Sequence, residues 1–141
     1  MGRKGFTISE LLVVFTIVII IGCVLAPFVQ YSRHRMDKIT CTNNLRELGL
    51  GLYIYAREHA GEFPTSMQTL YDEDYLADKS LMDCPGTGIE GTPEASDYIY
   101  TAGLSVRGPS LEILVKDKGK NHLNAGRNVL LVNGTVAWRA E

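Results

Sequence analysis

Between Gly5 and Ser32 the only Asp, Glu, Lys, Arg or His is Glu10. Within that window, Leu11 to Val29 reads Leu-Leu-Val-Val-Phe-Thr-Ile-Val-Ile-Ile-Ile-Gly-Cys-Val-Leu-Ala-Pro-Phe-Val, with Thr16 its one clearly polar residue. A hydroxyl there can bond back to the preceding helical turn. A helix needs about 20 such residues to cross the hydrocarbon core of a bilayer. The run reaches that length once Ile8 or Gln30–Tyr31 is included. A buried core helix this long would be unusual in a chain of 141 residues, so the run is expected to enter a membrane at some stage. The rest of the chain holds nearly all the charge. The whole chain's balance of 14 basic and 16 acidic side chains excludes a strongly basic nucleic-acid binder. A hydrophobic fraction of 45% excludes a disordered protein. The length suits one small domain.

Three fates are open to the apolar segment. A removed secretory signal needs small residues at its cut; Val24-Leu25-Ala26 comes close, but Pro27 would follow the cut and obstruct it. Ile20-Ile21-Gly22-Cys23 resembles a lipobox with Cys23 as the lipid-bearing residue, giving a lipid-anchored periplasmic binding module. Against that, the apolar run continues for six residues after Cys23. The third fate is retention of the whole segment as an anchor. Arg3 and Lys4 precede the run and Arg33, Arg35 and Lys38 follow it, so basic flanks do not orient it.

The carboxylate at the start of this segment has a local explanation. Thr7-Ile8-Ser9-Glu10 has capping-box spacing, with Thr7 as N-cap and Glu10 reaching back to its backbone N–H. Negative charge in the first turn also suits the helix dipole. The wider string Gly5-Phe6-Thr7-Ile8-Ser9-Glu10-Leu11-Leu12-Val13-Val14 resembles the N-terminus of type IV prepilins and type II secretion pseudopilins. In that family a basic leader ending in Gly is cut by a membrane-embedded aspartyl peptidase. The new N-terminal residue, usually Phe, is then N-methylated, and a Glu stands five positions into the mature chain. The resemblance implies a leader over residues 1–5, cleavage between Gly5 and Phe6, and methylation of Phe6. Glu10 would then pair with the N-terminal amine of a neighbouring subunit and set axial register, because an unpaired charge in a membrane helix is costly.

The resemblance further implies a homo-oligomeric helical filament built through the N-terminal helix. Its expected partners are the prepilin peptidase, an inner-membrane assembly platform with its ATPase, other minor pilins, and the membrane before assembly. The head would lie in the periplasm or outside the cell. Pro27, with Gly22 five residues before it, is expected to kink the helix or loosen its hydrogen bonds. In related filaments such a stretch partly unwinds.

Beyond the apolar run the helix continues. Cys41, Leu45, Leu48, Leu52 and Tyr55 recur at three- and four-residue steps, one face of an amphipathic helix, with Arg46, Glu47 and Arg57 off the stripe. Gly49 and Gly51 weaken the helix but allow close approach of a neighbouring element. His59-Ala60-Gly61 followed by Pro64 is the stop signal. The organisation expected is thus a leader over 1–5, a membrane or filament-core helix over 6–30, its amphipathic continuation over 31–60, and a head over 61–141.

In the head, Thr65 or Ser66 should cap a short helix that buries Leu70. Tyr98–Tyr100, Leu111–Val115, Asn128–Val132 and Thr135–Trp138 read as strands, the last two flanking Asn133-Gly134, a type I′ hairpin signal. An α+β fold follows: one long N-terminal helix packed on a small antiparallel sheet of three or four strands. The ending His122…Asn133-Gly134-Thr135-Val136-Ala137-Trp138 resembles a subgroup of bacterial prepilin-like proteins with a His before an Asp-Gly hairpin and an aromatic. Here ten residues separate His122 from Asn133, one more than in that subgroup. His122 reads as a surface or turn residue rather than a ligand.

Export to an oxidising compartment would allow Cys41 and Cys84 to bridge helix to head, the alternative being two buried thiols. No cofactor is expected. Calcium at Asp72-Glu73-Asp74, or in the loop Gly86–Asp97 with Glu90, Glu94 and Asp97, is the weaker reading of these acids, and the ligand pattern of calcium-binding major pseudopilins has no match here. No catalytic set, phosphate loop or zinc spacing stands out, so neither an enzyme nor a metal site is expected. Lys116, Lys118, Lys120 and Arg127 form the one basic cluster, which reads as a solvated loop more readily than as a DNA contact.

Overall fold

The computed structural model describes residues 7–76, 78–87, 96–118, 122 and 126–140, and of His34 the backbone alone. One helix, α1 (Ile8–Glu58), is followed by a short α2 (Met67–Asp72), a 3-10 turn (Lys79–Met82) and four strands: β1 (Tyr98–Tyr100), β2 (Ile113–Asp117), β3 (Gly126–Leu131) and β4 (Val136–Ala140). The sheet order is β1-β2-β3-β4, every neighbour antiparallel. This is the α+β arrangement expected from the sequence. The chain divides into two compact units after Arg33.

The first unit is the apolar part of α1. It is long and apolar enough to cross a membrane. Fifteen large apolar side chains between Ile8 and Val29 are exposed, none by less than 47%. Thr16 Oγ1 donates to the Leu12 carbonyl at 2.8 Å, which satisfies the hydroxyl inside the helix. The helix is unbroken through Gly22 and Pro27, although Pro27 has no N–H to donate to the carbonyl four residues back.

The second unit holds the core. Cys41, Leu45, Leu48, Leu52 and Ala56 are fully buried on one face of α1, against Leu70, Met82, Tyr98, Leu114, Val115 and Leu130. Full burial of each leucine stabilises the unit by about 1.5–3 kcal/mol. Tyr55 ends the expected stripe only half-buried, and Ala56 takes the core position beside it. Gly49 and Gly51 let neighbouring residues lie close against α1. A Cβ at Gly51 would lie 3.0 Å from Leu76 Cδ2 and 3.2 Å from the Tyr75 carbonyl oxygen. Ser66 caps α2, accepting from the Thr69 N–H, and Leu70 is fully buried, as expected.

α1 closes with a left-handed turn. The Gly61 N–H donates to the Ala56 carbonyl at 2.7 Å, the six-to-one bond of a Schellman motif. Its left-handed position is filled by Ala60 at φ 55°, with Gly61 following at φ 92°. The strands differ in detail from the sequence reading. β2 begins and ends two residues later than expected, because residues 109–112 form a turn closed by the Glu112 N–H on the Pro109 carbonyl. The β3–β4 hairpin is not type I′, since among the described residues only Ala60 and Asp74 have positive φ without being glycine. The Gly134 N–H bonds to the Leu131 carbonyl, the Leu131 N–H bonds to the Thr135 carbonyl, and Gly134 has φ 81°. That is a three-residue loop with glycine in the left-handed position. The extra residue leaves Val132 in the core at 2% exposure, where the Tyr53 hydroxyl donates to its carbonyl.

Candidate functional site

Among the described residues, two places combine polar chemistry with an apolar setting, one in each unit. At the start of α1, the Thr7 N–H and the Thr7 hydroxyl both donate to Glu10 Oε2, at 2.9 and 2.8 Å. The Glu10 N–H points back to Thr7 Oγ1 at a longer 3.4 Å, and the Leu11 N–H bonds to the Thr7 carbonyl. The capping box is therefore formed, and it holds the carboxylate at the rim of the apolar surface. Both of its short bonds end on a single oxygen. Gly5 and Phe6, the expected cleavage and methylation residues, lie outside the described residues. Cys23 is a free, exposed thiol within the helix.

The second place is in the head. Cys41 and Cys84 are joined by a disulfide, with Cα atoms 5.6 Å apart and a sequence separation of 43. The bridge ties α1 to the segment after the 3-10 turn. Against it lies His122, whose Nε2 is 3.8 Å from Cys84 Sγ. The expectation of a surface histidine is corrected here: the residue stands at a bend, but its side chain is 6% exposed, packed among Cys84, Asp117 and Trp138. The same nitrogen lies 3.1 Å from Asp117 Oδ2. Asp117 is at the end of β2 and 1% exposed, and Oδ2 also accepts from the Asn128 backbone N–H at 2.9 Å and from Asn128 Nδ2 at 3.0 Å. Asn128 Oδ1 in turn lies 3.1 Å from the Thr42 hydroxyl on α1. Asp117 Oδ1 is buried and has no hydrogen-bond partner among the described residues. Trp138 on β4 covers the cluster, its ring 5.9 Å from that of His122, and Lys38 Nζ sits 3.4 Å from the Trp138 ring centroid.

A buried, hydrogen-bonded Asp–His–Asn cluster against a disulfide was not anticipated. The available signal was small: Asp117 and Asn128 are polar residues beside otherwise apolar strand positions, and a strand read as ending at Val115 leaves Asp117 outside the sheet.

The other candidate acids are accounted for in part. Asp72, Glu73 and Asp74 are exposed, with Asp72 accepting from Gln68. Asp97 Oδ2 accepts from the Cys84 N–H and the Thr87 hydroxyl, both at 2.9 Å, so it anchors the loop start. Glu90 and Glu94 lie outside the described residues, as does Lys120. Buried Tyr98 and half-buried Tyr100 are shifted upward in pKa, chiefly by desolvation, and their hydroxyls reach the Asp83 and Pro64 carbonyls. No family model, curated protein or solved structure matches the chain.

Proposed function

We propose that this chain is a structural subunit of a type IV pilus-like or type II secretion pseudopilus filament, with no catalytic role. In this reading it is processed after Gly5 and polymerises through its N-terminal helix. The observation that carries the proposal is an apolar helix surface with no cover of its own and one carboxylate at its rim. Exposing fifteen large apolar side chains to water is untenable. Lipid covers them in the precursor, and neighbouring copies of the same helix cover them in the filament. The amine freed at Phe6 then offers a partner to Glu10. That pairing offsets the cost of a charge next to hydrocarbon and penalises wrong axial registers. The head, stapled by its disulfide, stays on the periplasmic or outer side, and the peptidase, the assembly platform with its ATPase and other minor pilins act on the membrane-bound form.

Intact-mass analysis of the membrane-extracted protein tests this directly. The expected product starts at Phe6 and carries one added methyl group on its amine. A product starting at a lipidated Cys23 would replace the filament reading with that of a lipid-anchored binding module.

A further inference from the structure

We propose that Cys41, Cys84, His122 and Asp117 form a binding site for a zinc-type divalent cation when the Cys41–Cys84 bond is open. This does not rest on the filament reading.

The two sulfurs and a His122 nitrogen all lie within 4.8 Å of one another. Tetrahedral zinc, with Zn–S near 2.3 Å and Zn–N near 2.0 Å, places such atoms roughly 3.5–4 Å apart, so small adjustments suffice once the sulfurs separate. The donors come from α1, the segment after the 3-10 turn, the end of β2 and the stretch between β2 and β3. The site is thus a product of the fold and not of one loop. Asp117 supplies the second, independent observation. Its Oδ1 is buried without a donor among the described residues, and an unmatched buried carboxylate oxygen is costly. A cation beside it removes that cost. Oδ2 is meanwhile held by two bonds from Asn128, the kind of outer support that orients a ligating carboxylate. His122 Nε2 faces both Cys84 Sγ and Asp117 Oδ2, so a cation taking that nitrogen breaks its contact with Oδ2, which keeps its two bonds from Asn128. Two thiolates and a carboxylate exceed the cation's charge by one, and Lys38 over Trp138 brings a positive charge to the same corner.

The bond opens by exchange with a dithiol reductant. One thiolate of the reductant attacks a sulfur of the bridge, the Cys41–Cys84 bond breaks, and the second thiol closes the reductant's own disulfide. Two electrons and two protons end on Cys41 and Cys84 as thiols. Cation binding then releases those two protons to solvent.

The test uses the full chain in detergent with Cys23→Ser, so that Cys41 and Cys84 are the only thiols. After reduction with a phosphine, cobalt(II) is titrated as the probe and zinc is added in competition. The expected result is one cobalt per chain with thiolate-to-cobalt absorption, displaced by zinc. Zinc should also raise the thermal midpoint of the reduced chain and protect both thiols from alkylation. The oxidised chain should show none of this. His122→Ala and Asp117→Asn should each weaken binding about 10–100-fold, with the oxidised variants checked for a native circular dichroism spectrum. Absence of the cobalt–thiolate band in the reduced parent chain overturns the proposal without reference to any variant. So does unchanged affinity in both folded variants.

Discussion

Ala60 occupies a backbone conformation that suits glycine, and it does so where glycine is the usual residue. At φ 55° its Cβ crowds the adjacent carbonyl, yet the Gly61-to-Ala56 bond requires the chain to turn there. Ala60→Gly should therefore stabilise the head by up to about 1 kcal/mol, the relief of strain being partly offset by the greater freedom of glycine in the unfolded chain. Chemical denaturation of the two proteins in the same detergent checks this; a lower midpoint for the glycine variant would count against the strain. Tyr75 offers a second local test. Its hydroxyl donates to Glu58 Oε2 at 2.7 Å. That bond first, then desolvation and the nearby Glu58 and Glu73 charges, push its pKa up to about 12. A tyrosine raised above its ordinary value near 10 contributes stability that is present below that value and is lost between pH 10 and the raised pKa. Glu58→Gln should return Tyr75 towards the ordinary range. Ultraviolet titration should then show one more tyrosine ionising near pH 10 than in the parent. An unchanged curve would mean that the bond to Glu58 does not hold the proton.

Among the elements, α1 shows how one helix serves two surroundings. Its first part is apolar on every side, while its second part is apolar along a stripe only, and the transition needs no break in the backbone. The stripe is also where glycine matters. Gly51→Ala gains about 1 kcal/mol of helix propensity. Its Cβ, however, would sit 3.2 Å from the Tyr75 carbonyl oxygen, and backbone cannot move aside as a side-chain tip can. Overpacking of that kind costs about 1–3 kcal/mol, so the net change is expected to be destabilising. Gly49→Ala meets only the flexible end of Leu130 at 3.2 Å and should cost less. Thermal midpoints that reverse this order would show that α1 and the Tyr75 turn are not in close register. The β3–β4 hairpin teaches a related point. Asn133-Gly134 announces a tight turn, and a turn is there, but Val132 is drawn into the core. The loop lengthens by one residue, leaving Gly134 alone in the left-handed region.

For the whole molecule, the filament reading places a specific demand on Glu10. Glu10→Leu keeps the helix, adds apolar surface and leaves membrane insertion intact. The lost capping bonds cost at most about 2 kcal/mol, too little to unfold a helix held by lipid. Filament incorporation should nevertheless fall to background, because the neighbouring amine loses its partner. Electron microscopy and shear fractionation of cells making equal amounts of processed variant and parent would decide it. Normal filament yield from the variant would reduce Glu10 to its capping role.

What the sequence determined by itself follows from short-range rules. Nineteen residues from Leu11 to Val29 without charge read as a membrane-competent helix because no other element buries so long a run in so small a chain. The Cys41–Leu52 stripe reads as a packed face because helical periodicity is local, and a sheet of three or four strands is read from branched, aliphatic and aromatic runs and the Asn133-Gly134 turn. Strand ends slipped by one or two residues because the Pro109–Glu112 turn and the pull on Val132 come from tertiary packing. The cluster around the disulfide lay beyond such rules altogether. Cys41, Cys84, Asp117, His122 and Asn128 span 88 residues of chain, and no spacing connects them. They meet because β2 and β3 pair in register over α1, which carries Asp117 and Asn128 inward together and brings His122 onto Cys84. Which polar groups share a buried space depends on strand register and helix packing acting at once, and that was decided by the tertiary structure alone.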